Sequence, residues 1–510
     1  MNPLDLVDLA SVSQAFHMLF SVPQYWLVAI PGILIGLLFG ATPGLQISMA
    51  MAIFMPLTMY MDFLQAMLFL TAIFTGGSFG GGVPAILMNI PGTSSAIATS
   101  FDGYPMAKKG KHNEALGLAL AASTFGVLLG HFLLFLLIKP LSTLVLKIGP
   151  QEMFFIILWG ITLIASLRGD HMLKGLIAGF VGLLLGTIGF NEEGTLRGAM
   201  GSEYLMDGVP VVPAMMGMFA ASELFRLVKT DYLHEDESSR HVRLSKIMQG
   251  FRTAFKYPTV LIRGGMIGII IGAIPGIGSS VSNLISYMET KRGDKDPSSY
   301  GQGNPKGVVA SESANSSSEA GSLATLLALG IPGGGATAVM LAAFSMHNIT
   351  GGPQFIREQM DVVYAIIFAN FGQIFLLILL GLISLPILAS IVKIRMNYLI
   401  PSVLALATLG SFGLTGNISG PITVLVFAIV GWFFRRYNYS VAGAVIGMLL
   451  GKMAESSLLH TYQISGGKLS YVLERPIALS ILIFMLVSLF SPIIIRRIKN
   501  RRTKEDAIEE

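Results

Sequence analysis

The stretch Gly80–Ser95, GGGVPAILMNIPGTSS, decides the fold. It is an apolar segment with Asn-Ile-Pro-Gly set into its middle. Proline lacks the N–H that continues a helix and glycine loosens the next step, so the segment is expected to break after about ten residues. In a bilayer the freed backbone groups must face protein or water rather than lipid. A near copy stands at Gly321–Thr337, GSLATLLALGIPGGGAT.

Around these two stretches the chain reads as a membrane protein. Of its 510 residues 53% are hydrophobic and 12% are charged, about half the charge of a soluble domain, which excludes an ordinary globular enzyme. Leu116–Ile138, Val209–Val228, Val362–Val392 and Ile477–Ile495 are each long enough to cross a bilayer. The 58 glycines fit close helix packing or broken helices. There is no cysteine, so disulfides and thiolate metal sites are absent. The net charge of +5 resides in a few loops, where it reports orientation more than partners.

No Lys or Arg precedes Lys108 and the first residues are mildly acidic. A secretory signal needs a basic start, so the N-terminus is expected to be retained and non-cytoplasmic. Residues 1–24 are expected to hold an interfacial helix, 25–228 a first membrane repeat, 229–258 a cytoplasmic linker, 259–495 a second repeat and 496–510 a basic cytoplasmic tail. Phe63–Thr75 reads as one segment and the glycine stretch after it as another. Uninterrupted helices are expected near 114–138, 152–167, 172–190, 207–228, 362–392, 397–416, 419–434, 440–459 and 476–495.

The halves align with each other. Gly36-Leu-Leu-Phe-Gly40-Ala-Thr-Pro43-Gly44 matches Gly268-Ile-Ile-Ile-Gly272-Ala-Ile-Pro275-Gly276 at a spacing of 232, and Ile90-Pro91-Gly92 matches Ile331-Pro332-Gly333 at 241. Two paired breaks in one order mark an internal repeat. Lys108–Lys111 is basic where its counterpart His347–Gln354 is not, and Leu57–Asp62 lacks the Lys291, Arg292, Lys295 and Lys306 of its counterpart. By the positive-inside rule the repeats are therefore expected to be inverted. Arg263 and Lys291 both read as cytoplasmic, and the 27 residues between them are too few for two crossings. Pro275-Gly276 is then the tip of a re-entrant hairpin, and Gly80–Phe101 a second hairpin tipped by Pro91-Gly92. The expected fold is an all-α polytopic membrane protein of two inverted repeats with about 11 to 12 transmembrane helices.

Broken segments in corresponding positions point to a transporter's binding site near the midplane. Helix N-termini suit carboxylates, and exposed carbonyls suit Na⁺. Candidate substrate-binding residues are Asn89, Pro91, Gly92, Thr93, Ser94 and Ser95 at the first break, with Asn315, Ser316, Ser317, Pro332, Gly333 and Gly334 in the second half. Candidate ion-binding residues are Pro43, Gly44, Gln46, Pro275, Gly276, Ser279, Ser280, Asn283 and Glu312. Hydroxyls and amides bind such ligands without a buried formal charge; equally, they can bond neighbouring helices. Glu312 and Glu319, seven apart, share a helical face if the stretch is helical. They either serve a cation or lie in a cytoplasmic loop. His131 reads as a packed neutral histidine, and Lys452 with Glu455 as an intrahelical pair. There is no His-Glu-x-x-His, and Gly447–Lys452 lacks Walker spacing, so no enzyme is expected and an ion gradient is the natural driving force.

Gly80-Gly-Gly-Val-Pro-Ala-Ile-Leu-Met-Asn89-Ile-Pro91-Gly92-Thr93, followed by Asp102-Gly-Tyr-Pro-Met-Ala, resembles the signature of the large permease subunit of tripartite tricarboxylate transporters. Gly272–Gly278, Glu312-Ser-Ala-Asn315 and Leu329–Gly333 resemble it too. The likeness covers about residues 25 to 495. Where the family commonly has Asn-Asn-Ala, this chain has Asn315-Ser316-Ser317, a departure that bears on the substrate site. The resemblance implies a multi-pass bacterial inner-membrane importer of citrate-like carboxylates, usually coupled to Na⁺ or else to H⁺, with no other cofactor. Its implied partners are a small membrane subunit of about four helices and a periplasmic solute-binding protein. A passive anion channel or pore is the alternative reading; dependence on an imposed gradient separates the two.

Overall fold

The computed structural model describes residues 7–166, 172–191, 193–227, 242–275, 279–391, 396–468, 471 and 475–487. The expected basic tail and residues 229–241 of the expected linker lie outside them, as does Gly276. The described chain is helical throughout, apart from a two-stranded hairpin pairing Gly189–Phe190 with Leu196–Arg197.

The first pass begins with α1 (Leu9–Ser21), which turns by 78° into α2 (Gln24–Gly40). Then follow α3 (Ile47–Phe54), α4 (Phe63–Met88), α5 (Ile97–Lys108) and α6 (His112–Val145). Next come α7 (Pro150–Ser166), α8 (Met172–Gly186), and α9 (Val211–Met215), which runs through a π-helical turn into α10 (Ser222–Leu227). The second pass repeats the first: α11 (Leu244–Ala254) turns by 80° into α12 (Pro258–Gly272). Then come α13 (Ser279–Arg292), α14 (Pro305–Leu329), α15 (Gly335–Met346), the short α16 (Pro353–Glu358) and α17 (Met360–Ile391). The chain continues with α18 (Met396–Thr415), α19 (Ser419–Arg436), α20 (Val441–Ile464) and a helix at 476–487.

The chain forms two compact units, 1–145 with 212–432, and 146–211 with 433–510. Each sequence half thus supplies helices to both. In the second unit, α8 packs on α20 through glycines, with Gly182 against Ala444 O and Gly447 against Gly179 O. Glu455 there does not pair with Lys452 as expected. It takes both terminal guanidinium nitrogens of Arg197, because a fork that binds two carboxylate oxygens holds better than one flexible ammonium.

The first unit holds both passes, and their equivalent contacts coincide residue by residue. A Cβ at Gly36 would overlap Ile73 O, and one at Gly268 would overlap Ala314 O. Likewise Gly40 lies on Gly77 O, and Gly272 on Ser318 O. The 232-residue shift that relates α2 to α12 and the 241-residue shift that relates α4 to α14 predict both pairs. Backbone contact of this kind requires the missing side chain.

α4 differs from the sequence reading in one respect. Phe63–Thr75 and the glycine stretch are a single helix that continues through Pro84 to Met88. Its glycines stay helical because α2 lies against them, so packing replaces what glycine lacks in propensity. The break falls where expected, at Asn89.

α4 and α14 cross in opposite directions. Thr75 meets Glu319, Ser78 meets Asn315, and Gly82 faces Glu312. Among the described residues five helices, α4, α6, α17, α19 and α20, are long and apolar enough to span, or seven if each bent pair counts as one. The remainder of the expected count falls on apolar helices of ten to seventeen residues, such as α8 and α15. α14 is long enough to cross, yet its Ser, Asn and Glu side chains make it too polar for lipid, and nearly all of it is buried.

Candidate functional site

At the first break Asn89 takes the left-handed conformation, φ 61°, which stops α4. The chain then doubles back. Gly92 N–H donates to Gly81 O at 3.1 Å, and a Cβ on Gly92 would overlap Gly40 O at the end of α2. Thr93 and Ser95 are buried with their hydroxyl oxygens 2.9 Å apart. Pro91 is half-buried, while Asn89 and Ser94 are exposed.

The second break copies this geometry. Gly330 caps α14 at φ 69°. Pro332 and Gly333 are buried, and Gly333 lies on Ser322, whose hydroxyl donates to Gly272 O at 3.0 Å. Gly334 is extended and half-buried, and its N–H donates to Thr337 Oγ1 at 3.0 Å. In both repeats the turn therefore returns to the end of its own first helix.

The other two breaks meet these turns crosswise. Asn283 of α13 is fully buried and its amide donates to Ser95 O, so a helix of the second pass holds the turn of the first. Ser48 of α3 sits against Gly335 at the start of α15, the reciprocal contact. Pro43 and Pro275 are buried, Gly44 is left-handed at φ 90°, and Gln46 and Ser279 are half-buried at the starts of α3 and α13. Gly276 and the side chain of Ser280 fall outside the described residues.

Between the turns lies the crossing of α4 and α14. Glu312 and Glu319 are buried within α14 and not in a loop. Glu312 is fully engaged: Thr99 Oγ1 donates to Oε1 at 2.5 Å and Ser123 Oγ to Oε2 at 2.9 Å. Glu319 is only half engaged, taking Thr75 Oγ1 on Oε2 at 3.0 Å while Oε1 has no partner. Asn315 donates to Ser78 O at 3.1 Å, leaving Oδ1 unpartnered. Ser316 is buried, and Ser317 turns its hydroxyl to Ala314 O at 3.3 Å against Gly268.

The structure thus brings Ser95 to Asn283, and Asn315 to α4, while Asn89 and Ser94 face outward. Thr75, Ser78, Thr99 and Ser123 were missed. Their signal was hydroxyl residues beside small ones in otherwise apolar helices, as in Thr75-Gly-Gly-Ser78. By its letters Gly76-Gly-Ser78-Phe-Gly80 also fits the Gly-x-Ser-x-Gly motif of hydrolases. That motif needs a strand-to-helix elbow, and here Ser78 lies buried in mid-helix. His131 is packed, its Nδ1 3.0 Å from Val127 O.

The loop before α14 is built on a buried carboxylate. Asp102 Oδ1 accepts the N–H groups of Gly301, Gly303 and Asn304 at 2.8 to 2.9 Å, and Oδ2 accepts Tyr287 OH at 2.9 Å. Asp294 adds Lys306 and Tyr300 OH, both at 2.7 Å. The Lys306 hydrogen bond, helped by Tyr300, holds the Asp294 carboxyl down at about 2.

Comparison with known proteins decides the family. The model described as the tripartite tricarboxylate transporter TctA family matches residues 26–446. The chain belongs to that family. This TctA-family chain is 31% identical over 481 residues, 94% of each chain, to an uncharacterised 52.8 kDa protein of the TAR-I ttuC' 3' region of Agrobacterium vitis. It is also 29% identical over 241 residues to an uncharacterised protein of the TAR-II ttuC' 3' region of that organism, covering 47% of this chain and 98% of the relative. No solved structure matches. TctA-family membership and the apolar helices make it a multi-pass membrane subunit of a tripartite transporter, a system that includes a binding protein and a small membrane subunit.

Proposed function

We propose that this chain is the large transmembrane subunit of a binding-protein-dependent secondary transporter that imports a citrate-like carboxylate into the bacterial cytoplasm, driven by a Na⁺ gradient. The observation that carries the reading is the matched pair of turns, Pro91–Ser95 and Pro332–Gly334, each folded back toward the α4–α14 crossing. Backbone N–H groups and hydroxyls at such turns suit a carboxylate, and no carboxylate side chain lies in either turn. Asn89 and Ser94 are the exposed polar side chains of the first turn and would meet substrate first.

The opposed directions of α4 and α14 support inverted repeats, because equivalent helices of repeats related by an axis in the membrane plane must run oppositely. The N-terminus is then periplasmic and the C-terminus cytoplasmic. The test is labelled citrate uptake into proteoliposomes holding this chain and its small membrane subunit, with and without the binding protein. Saturable uptake that needs the binding protein and collapses in Asn89→Ala supports the reading. Uptake indifferent to both would place transport elsewhere.

A further inference from the structure

The α4–α14 crossing holds three buried oxygen atoms without hydrogen-bond partners: Ser78 Oγ, Asn315 Oδ1 and Glu319 Oε1. Asn315 and Glu319 stand four apart, hence on one face of α14, and Thr75 and Ser78 stand three apart on one face of α4. The two faces are joined by the hydrogen bonds from Thr75 to Glu319 and from Asn315 to Ser78 O. The Ser78 hydroxyl comes near the Glu319 carboxylate without the geometry of a hydrogen bond. Buried oxygen acceptors rarely remain idle, and a buried carboxylate with no basic partner is costlier still. Glu312, one face-repeat away, shows the contrast, since hydroxyl donors occupy both of its oxygens.

We propose that Ser78, Asn315 and Glu319, with Thr75 orienting the carboxylate, form a binding site for one dehydrated monovalent cation, Na⁺. Oxygen ligands of mixed type, one of them anionic, suit a hard ion, and a single carboxylate balances a single positive charge. A divalent ion would call for more: among the described residues no group of three His, Cys, Asp or Glu side chains converges. The site also sits where α4 crosses its counterpart α14, and there the two passes differ. The 241-residue shift equates Glu319 with Ser78, so one position supplies a carboxylate and its mate a hydroxyl. One cation site results instead of two.

The inference deepens the reading of the chain as an ion-driven importer and rests on it by assigning the coupling ion a place. The test is thermal unfolding of the purified full chain in detergent, titrated with NaCl against choline chloride at constant ionic strength. Wild type should gain stability saturably with Na⁺. Glu319→Gln should lose the gain, and Ser78→Ala should raise the half-saturating Na⁺ concentration by about tenfold. Asp294→Asn, in the loop before α14 and away from the crossing, should keep it. No Na⁺-specific gain in wild type, or an undiminished gain in both Glu319→Gln and Ser78→Ala, overturns the site. Sodium-driven citrate uptake is measured separately. If uptake needs Na⁺ while both variants keep the stability gain, the site is wrong and the transport reading stands. If uptake ignores Na⁺ while Glu319→Gln abolishes the gain, the site stands and the coupling does not.

Discussion

α4 and α14 are the same element built twice, and they differ in what they enclose and in how they begin. Both are long, both lie on a preceding helix through glycine, and both end in a left-handed cap followed by Ile-Pro-Gly. α4 contains no charged residue, whereas α14 carries two buried glutamates. α4 caps its own start, with Asp62 accepting from Gln65 N and Gln65 reaching back to Asp62 N. α14 is held at its start by other segments, through Asp102 and Asp294. The shared features are those of architecture and the unshared ones those of chemistry, so the comparison separates residues that make the fold from residues that use it.

The largest effect should fall equally on both repeats. Gly36→Leu and Gly268→Leu each drive a side chain into the backbone of the following long helix, and each should cost more than about 3 kcal/mol. The measure is recovery of monodisperse protein from membranes. A large loss in one variant with none in the other would break the equivalence of the repeats. A smaller and unequal effect is expected at the helix starts. Asp102→Ala strands three backbone N–H groups and should cost about 3 kcal/mol, against about 1 kcal/mol for Asp62→Ala. Thermal unfolding in detergent ranks the two.

The smallest effect concerns Asp294. Its folded-state pKa is depressed to about 2 from the ordinary 3.8, so the stability it contributes is present above the unfolded value and lost as pH falls through about 2. Asp294→Asn should therefore cost at most about 1 kcal/mol at neutral pH, and the difference from wild type should shrink between about pH 4 and pH 2. A gap that persists at the acid end would mean that Asp294 acts by shape and not by charge.

Much of the architecture was legible in the chain because proline and glycine act locally. Pro91-Gly92 and Pro332-Gly333 end helices wherever they stand, and the two spacings of 232 and 241 exposed the repeat. The continuity of α4 through Gly76–Gly82 was not legible, because it depends on α2 lying against those glycines. The same holds for the chemistry. Glu312 and Glu319 are alike in sequence and differ only through what faces them, Thr99 and Ser123 for one, Thr75 and Ser78 for the other. Lys452 and Glu455 looked paired by spacing until Arg197 offered a better partner.

If α4 and α14 belong to a pump-like importer and not to a pore, the chain must move substrate uphill. The direct measurement is the steady-state ratio of internal to external labelled citrate in proteoliposomes holding the chain, its small membrane subunit and its binding protein, under an inward Na⁺ gradient. The account predicts accumulation well above the external concentration, collapsing when Na⁺ is equal on both sides. A ratio that settles at one whatever the gradient would contradict it.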